Sequence, residues 1–222
     1  MKRKYPLVND EVYHIFSRTI ADFKVFNSDK DYSRMMMLLA FFQIEEPPAK
    51  FSIFMELKSA QQFGFYNYFG SLAKDQPKIV EIIAYCLMPT HIHLVLKQLK
   101  KDGISTYIRN ALNGYSRYFN IHHRRKGPLW EARFKNVLVE NDEQLLHLTR
   151  YVHLNPVTAD LVKKPENWLY SSYLEYLNDE KQRQFCFYDD LLKITPKVYK
   201  KFVEERIDYQ KELGKIKNLC LD

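Results

Sequence analysis

The chain has 222 residues, 46% of them hydrophobic, which is enough to bury a core and too apolar for a wholly disordered chain. Its 34 Lys and Arg exceed its 27 Asp and Glu, and the resulting +7 favours polyanionic partners without choosing among DNA, RNA and anionic membrane. Three scattered cysteines (Cys86, Cys186, Cys220) argue against a disulfide framework or a cysteine-rich zinc site. The basic start has no apolar run behind it and no stretch reaches membrane-spanning length, so the chain reads as cytoplasmic with no membrane partner.

Glu11 to Thr19 alternates β-branched and aromatic residues with polar ones and predicts a strand. Asn27 or Ser28 can cap a helix whose apolar stripe is Tyr32, Met35, Met36, Leu39 and Phe42, and Glu46-Pro47-Pro48 ends it. Phe51 to Gln76 is ring-rich and interrupted by Gly64 and Gly70, so it allows either a short helix or a packed loop. Lys78 to Met88 predicts a buried strand, Pro89-Thr90 a break, and His91 to Gln98 a second strand paired antiparallel to the first. A helix follows from about Ser105 to Ile121, then the basic loop His122 to Pro128, then a strand over Phe134 to Glu140. Asn141 or Asp142 caps a further helix with Leu145, Leu148 and Val152 on one face, expected to end at Asn155-Pro156. Helical stretches follow from Pro165. The order β-α-β-β-α-β predicts an α+β fold, a ferredoxin-like or RRM-like antiparallel sheet with helices on one face and the other face free. One domain over residues 1–177 and a charged, helical C-terminal extension over 178–222 are expected.

Three constellations carry chemistry. His91-Ile92-His93 places two imidazoles on the same face of a strand, a partial site for a divalent cation, although H-x-H occurs in many proteins. Tyr151 and Asn155 share a helix face, but on helix geometry alone they also read as a core or rim tyrosine ahead of a helix-stopping Asn-Pro. Arg117, Arg124, Arg125, Lys126 and Arg133 form a cationic set that is either a solvated loop or a clamp on phosphates. Walker A, dinucleotide and H-E-x-x-H signatures are absent.

Taken in order, six segments resemble the HUH-type single-tyrosine transposases of small insertion sequences, in their REP-associated tyrosine transposase branch. They are Tyr13-His14-Ile15 with Arg18; Leu87 to Leu94; Tyr115 to Asn120; Gly127 to Phe134; Tyr151 to Val157; and Trp168 to Tyr173. The match runs from about Tyr13 to Tyr173, leaves the tail uncovered, and meets an insertion-like stretch at Pro47 to Gln76. The resemblance implies a metal pair at His91 and His93 holding Mg²⁺ or Mn²⁺, and Tyr151 as the nucleophile. Asn155 stands where related transposases place a third, glutamine ligand. Arg18 and the cationic set would contact DNA. Tyr115 is the rival nucleophile, ranked lower because Leu112 and Phe119 beside it are apolar.

The activity so implied is metal-dependent nicking and strand transfer on single-stranded or hairpin DNA through a 5′-phosphotyrosine, by a monomer or homodimer. Two other readings stand beside it: a domesticated hairpin-binding protein that no longer cuts, and an RNA-binding sheet.

Overall fold

The computed structural model describes residues 6–131, 133–177 and 185–212. The basic start Met1–Tyr5, Ala132 of the fourth matching segment, and residues 178–184 and 213–222 of the expected extension, with Cys220, lie outside the described residues. Four strands form one antiparallel sheet: β1 (Val12–Arg18), β2 (Val80–Met88), β3 (His91–Gln98) and β4 (Lys135–Leu138). Their order across the sheet is β2-β3-β1-β4, the ferredoxin-like arrangement that the element order predicts. Between β1 and β2 lie α1 (Asp29–Phe41) and three short helices, α2 (Phe51–Glu56), α3 (Lys58–Phe63) and α4 (Phe65–Ala73). After β3 come α5 (Gly103–His122), β4, α6 (Asp142–Thr158), α7 (Tyr173–Tyr176) and α8 (Pro196–Glu204).

Local chemistry sets the starts. Ser28 caps α1 in a reciprocal box with Asp31, and Asn141 caps α6 by accepting from the Gln144 N–H, so two sets of orphaned helix donors are satisfied. At the start of α5 a Cβ on Gly103 would run into the Ile79 carbonyl oxygen, so only glycine lets the helix approach the sheet edge there.

Strand parity then divides the sheet between two cores. Tyr13, Ile15, Ile92, Leu94 and Leu96 point to one face and pack with Met35, Leu39, Ile108 and Tyr115 from α1 and α5. The stretch left open between Phe51 and Gln76 resolves here: Phe54, Phe65 and Phe69 gather around Phe41 at the end of α1, with ring centroids 5.0–6.5 Å from it. A bulge between Ile82 and Ala84 shifts the parity of β2, after which Ala84, Cys86 and Met88 face the opposite side with Val95.

That opposite side is not wholly free, which corrects the expectation of one open sheet face. α6 lies across β2 and β3, burying Leu145, Val152 and Val157, and Tyr173, Tyr176, Tyr199 and Val203 complete a second core. The reason lies in α6 itself, whose apolar stripe needs a surface to cover. The half of the face over β1 and β4 stays accessible, with Val137 42% exposed. The outer edge of β2 is also covered, since the Leu87 N–H donates to the Tyr170 carbonyl and the Ser172 N–H to the Tyr85 carbonyl.

The chain after α7 is part of this second core. Buried His153 on α6 is 2.6 Å from the Tyr199 hydroxyl through Nδ1 and 2.7 Å from the Ser172 hydroxyl through Nε2. Glu175 accepts from the Phe185 and Cys186 N–H groups, both at 3.0 Å. Burial raises the Glu175 carboxyl from its ordinary 4.5 to about 7. A carboxyl whose folded pKa is raised gives full stability below the unfolded value and loses it as pH climbs through the folded one. Wild type is therefore expected to lose about 2 kcal/mol between pH 5 and pH 8 from this group. Urea unfolding at the two pH values checks it: Glu175→Gln should abolish that part of the slope and be the more stable protein at pH 8.

Candidate functional site

The site grows from β3. Ile92 and Leu94 enter the first core, so His91 and His93 both face the other side, with ring centroids 5.0 Å apart and planes at 84°. The register sets Arg18 of β1 opposite His91 and Phe16 opposite His93. One step along, His14 shares that face: its Nε2 lies 3.0 Å from His93 Nδ1 and the two rings are within 17° of parallel. His91 is tied too, through a 3.0 Å contact between its Nδ1 and the Thr90 hydroxyl. Both members of the H-x-H pair are thus held through Nδ1.

Tyr151 comes down onto this group from α6. Its ring stands edge-on to His93 at 5.7 Å and to His14 at 6.0 Å, and the residue is 37% exposed, so solvent or a substrate reaches it. Burial raises the Tyr151 phenol above its ordinary value; the nearby Asn155 amide and then the Arg18 charge draw it back. Tyr115, the rival, is fully buried, packs on Phe26 at 4.9 Å and donates its hydroxyl to the Val25 carbonyl at 2.6 Å. The structure places it in the core on the far side of the sheet from the histidine pair.

Asn155 also explains why α6 runs on to Thr158, past the stop expected at Asn155-Pro156. Pro156 has no N–H for the Val152 carbonyl. The Asn155 side-chain amide donates to the Tyr151 carbonyl at 2.9 Å and lies 3.5 Å from the Val152 carbonyl, covering the gap from outside the helix. Tyr151 therefore stands on intact helix. Among the described residues, no three His, Cys, Asp or Glu side chains are gathered so as to hold a metal ion.

The cationic residues divide by what they already do. Arg18 is half-exposed, 4.0 Å from Asp22, and its charge is felt at Tyr151. Arg117, Arg124, Lys126 and Arg133 are exposed. Arg125 is committed to its own loop, donating to Asn120 Oδ1 at 3.2 Å and to the Pro128 carbonyl at 3.0 Å. The exit of that loop is sewn to the end of β1: the Ile20 N–H donates to the Leu129 carbonyl and the Glu131 N–H to the Arg18 carbonyl, both at 2.9 Å. The loop thereby approaches the site from the Arg18 end. Sequence reasoning placed His14 and Thr90 in matching segments but gave neither a role at the site. The available signal for His14 was parity, since His14, Phe16 and Arg18 share one face of a strand that pairs with β3.

Comparisons with known proteins bear on the family and on the fold. A family model described as "Transposase IS200 like" matches residues 61–155, a span that holds His91, His93, Tyr151 and Asn155 and stops short of His14 and Arg18. A Haemophilus influenzae protein assigned to the REP-associated tyrosine transposases is 29% identical over 103 residues, which are 42% of this chain and 58% of that relative's length. A solved REP-associated tyrosine transposase bound to a REP hairpin aligns with a TM-score of 0.53 at 15% identity, over 81% of this chain and 87% of that one, a likeness of fold. The resemblance to the IS200-like, single-tyrosine transposases is thereby borne out. Within them it points to the REP-associated branch.

Tyr115→Phe should lower stability by about 1 kcal/mol through the lost buried hydrogen bond, read as a shifted urea midpoint, and leave the histidine face unchanged.

Proposed function

We propose that this chain nicks and rejoins DNA, with Tyr151 as nucleophile, His91 and His93 as metal ligands, and single-stranded or hairpin DNA as substrate. The observation that carries the reading is the edge-on approach of a solvent-reachable Tyr151 to His93 at the border between the covered and open halves of the sheet face. The transposase relatives support the reaction class, and the hairpin held by the solved neighbour supports the substrate class.

The residues fit a divalent cation. Two imidazoles on one strand face, each anchored at Nδ1, with an amide oxygen at Asn155, are a partial coordination shell that phosphate oxygens and water can complete. We assign Mg²⁺ or Mn²⁺ to it. Bound there, the ion would polarise a non-bridging phosphate oxygen and offset the charge that repels an anionic nucleophile.

The remaining work belongs to the chain. Tyr151 Oη forms the new bond to phosphorus and the bond from phosphorus to the 3′ oxygen breaks, leaving a 5′-phosphotyrosine and a free 3′-OH. One phosphoester replaces another, so resealing to a new 3′-OH needs no ATP. The Asn155 amide and the Arg18 charge favour the phenolate that burial disfavours. Arg18, Arg117, Arg124, Lys126 and Arg133 are assigned to the DNA backbone, where bidentate arginine contacts fix register without reading sequence. Arg125 contributes by holding its loop in shape.

Two measurements test this. With Mn²⁺ and a 5′-extended hairpin oligonucleotide, wild type should form a covalent adduct stable to denaturing gel electrophoresis. Tyr151→Phe should form none while binding the hairpin within about threefold of wild type, because it loses only the attacking oxygen. No adduct from wild type would instead identify a hairpin-binding protein that does not cut. Arg18→Ala removes a charge that lowers the Tyr151 pKa, so its adduct rate at pH 7.5 should fall about three- to tenfold and recover toward wild type as pH rises. A deficit that stays constant with pH would assign Arg18 to DNA contact alone.

A further inference from the structure

His14, present in a matching segment but given no role there, touches His93 directly. His14 Nε2 and His93 Nδ1 lie 3.0 Å apart, and a hydrogen bond between two imidazoles needs one N–H and one lone pair. Two arrangements satisfy it. If the His14 Nε2–H donates, a neutral His93 carries its own proton on Nε2 and has no lone pair there for a cation. If the His93 Nδ1–H donates to His14, Nε2 of His93 keeps its lone pair. Only the second is compatible with a metal ion at the H-x-H pair. His91 fits the same logic, its Nδ1 being 3.0 Å from the Thr90 hydroxyl, which can accept.

We propose that His14 is a positioning residue for the metal site: by accepting from the His93 Nδ1–H it fixes the tautomer and tilt of that ring, so that His93 presents Nε2 to a divalent cation. The proposal rests on the assignment of His91 and His93 as ligands made above. It assigns to the first strand, outside the span matched by the family model, a part of the site held on the third. The packing supports it. The His14, Phe16 and His93 rings are mutually packed, with centroids 5.2, 5.3 and 6.2 Å apart, and Tyr151 stands edge-on to His14 at 6.0 Å, so the His14 ring is braced beside His93. Ligand histidines are commonly oriented through their second nitrogen in this way, by carboxylates, carbonyls or water; here a second imidazole fills the place.

The test reads metal affinity directly, on the full chain without DNA or turnover, by electron paramagnetic resonance titration of free Mn²⁺. His14→Phe keeps a ring packed against Phe16 and His93 but has no acceptor. His14→Gln sets an amide oxygen near the position of Nε2. His14→Phe is expected to weaken Mn²⁺ binding about 10- to 100-fold, with His14→Gln within about threefold of wild type. Circular dichroism and hairpin binding in EDTA should be unchanged for both. Wild-type affinity in His14→Phe, or an equal loss in His14→Gln, overturns the proposal. Undiminished Mn²⁺ binding in His93→Ala overturns the ligand assignment itself, a separate failure. Should His14→Phe fail to fold, long-range ¹H–¹⁵N spectra of Mg²⁺-loaded wild type decide: the proton of His93 is expected on Nδ1, and a proton on Nε2 contradicts the proposal.

Discussion

Everything at this site depends on the two-residue alternation of β3. Because Ile92 and Leu94 are drawn into the first core, His91 and His93 have no choice of face, and a slip of one residue would bury both rings among aliphatic side chains. The antiparallel register with β1 then fixes what stands beside them: Arg18 across from His91, Phe16 across from His93, and His14 one step further along the same face. A polar pair on a central strand is tolerable because each ring has an anchoring partner within 3.0 Å.

The second constraint is the placement of α6. Its buried side packs on β2 and β3, and this packing brings Tyr151 to the border between covered and open sheet. The His153 contacts with Tyr199 and Ser172 hold that helix from its inner face, so Tyr199, beyond α7, helps to place the helix that carries Tyr151. The site therefore sits on rigid elements, with two strands supplying the imidazoles and a double-sided core supporting the tyrosine helix.

Much of this was legible in the sequence because it rests on short-range rules. His91 to Gln98 is a strand over the span that alternation marks, and Ser28 and Asn141 cap where their side chains allow. Tyr115 lies in the core, as its apolar neighbours Leu112 and Phe119 indicate. What was not legible depends on partners far along the chain. Pro156 reads as a stop because its missing N–H is visible, whereas the repair by the Asn155 amide depends on a rotamer. His14 carries no local pattern, and its meaning appears only when β1 and β3 pair. The covering of half the sheet by α6 and residues from α7 onward required knowing where the chain after Tyr173 goes. Arg125 could not be told from its basic neighbours without seeing the carbonyls it holds.

The central claim is that Tyr151, among 16 tyrosines, is the residue that becomes joined to DNA. Peptide mapping of a covalent adduct measures this directly. After nuclease trimming and trypsin digestion, the nucleotide mass should reside on the peptide from Tyr151 to Lys163. Its appearance on the peptide from Asn110 to Arg117, which carries Tyr115, or on any other tyrosine peptide, would contradict the account.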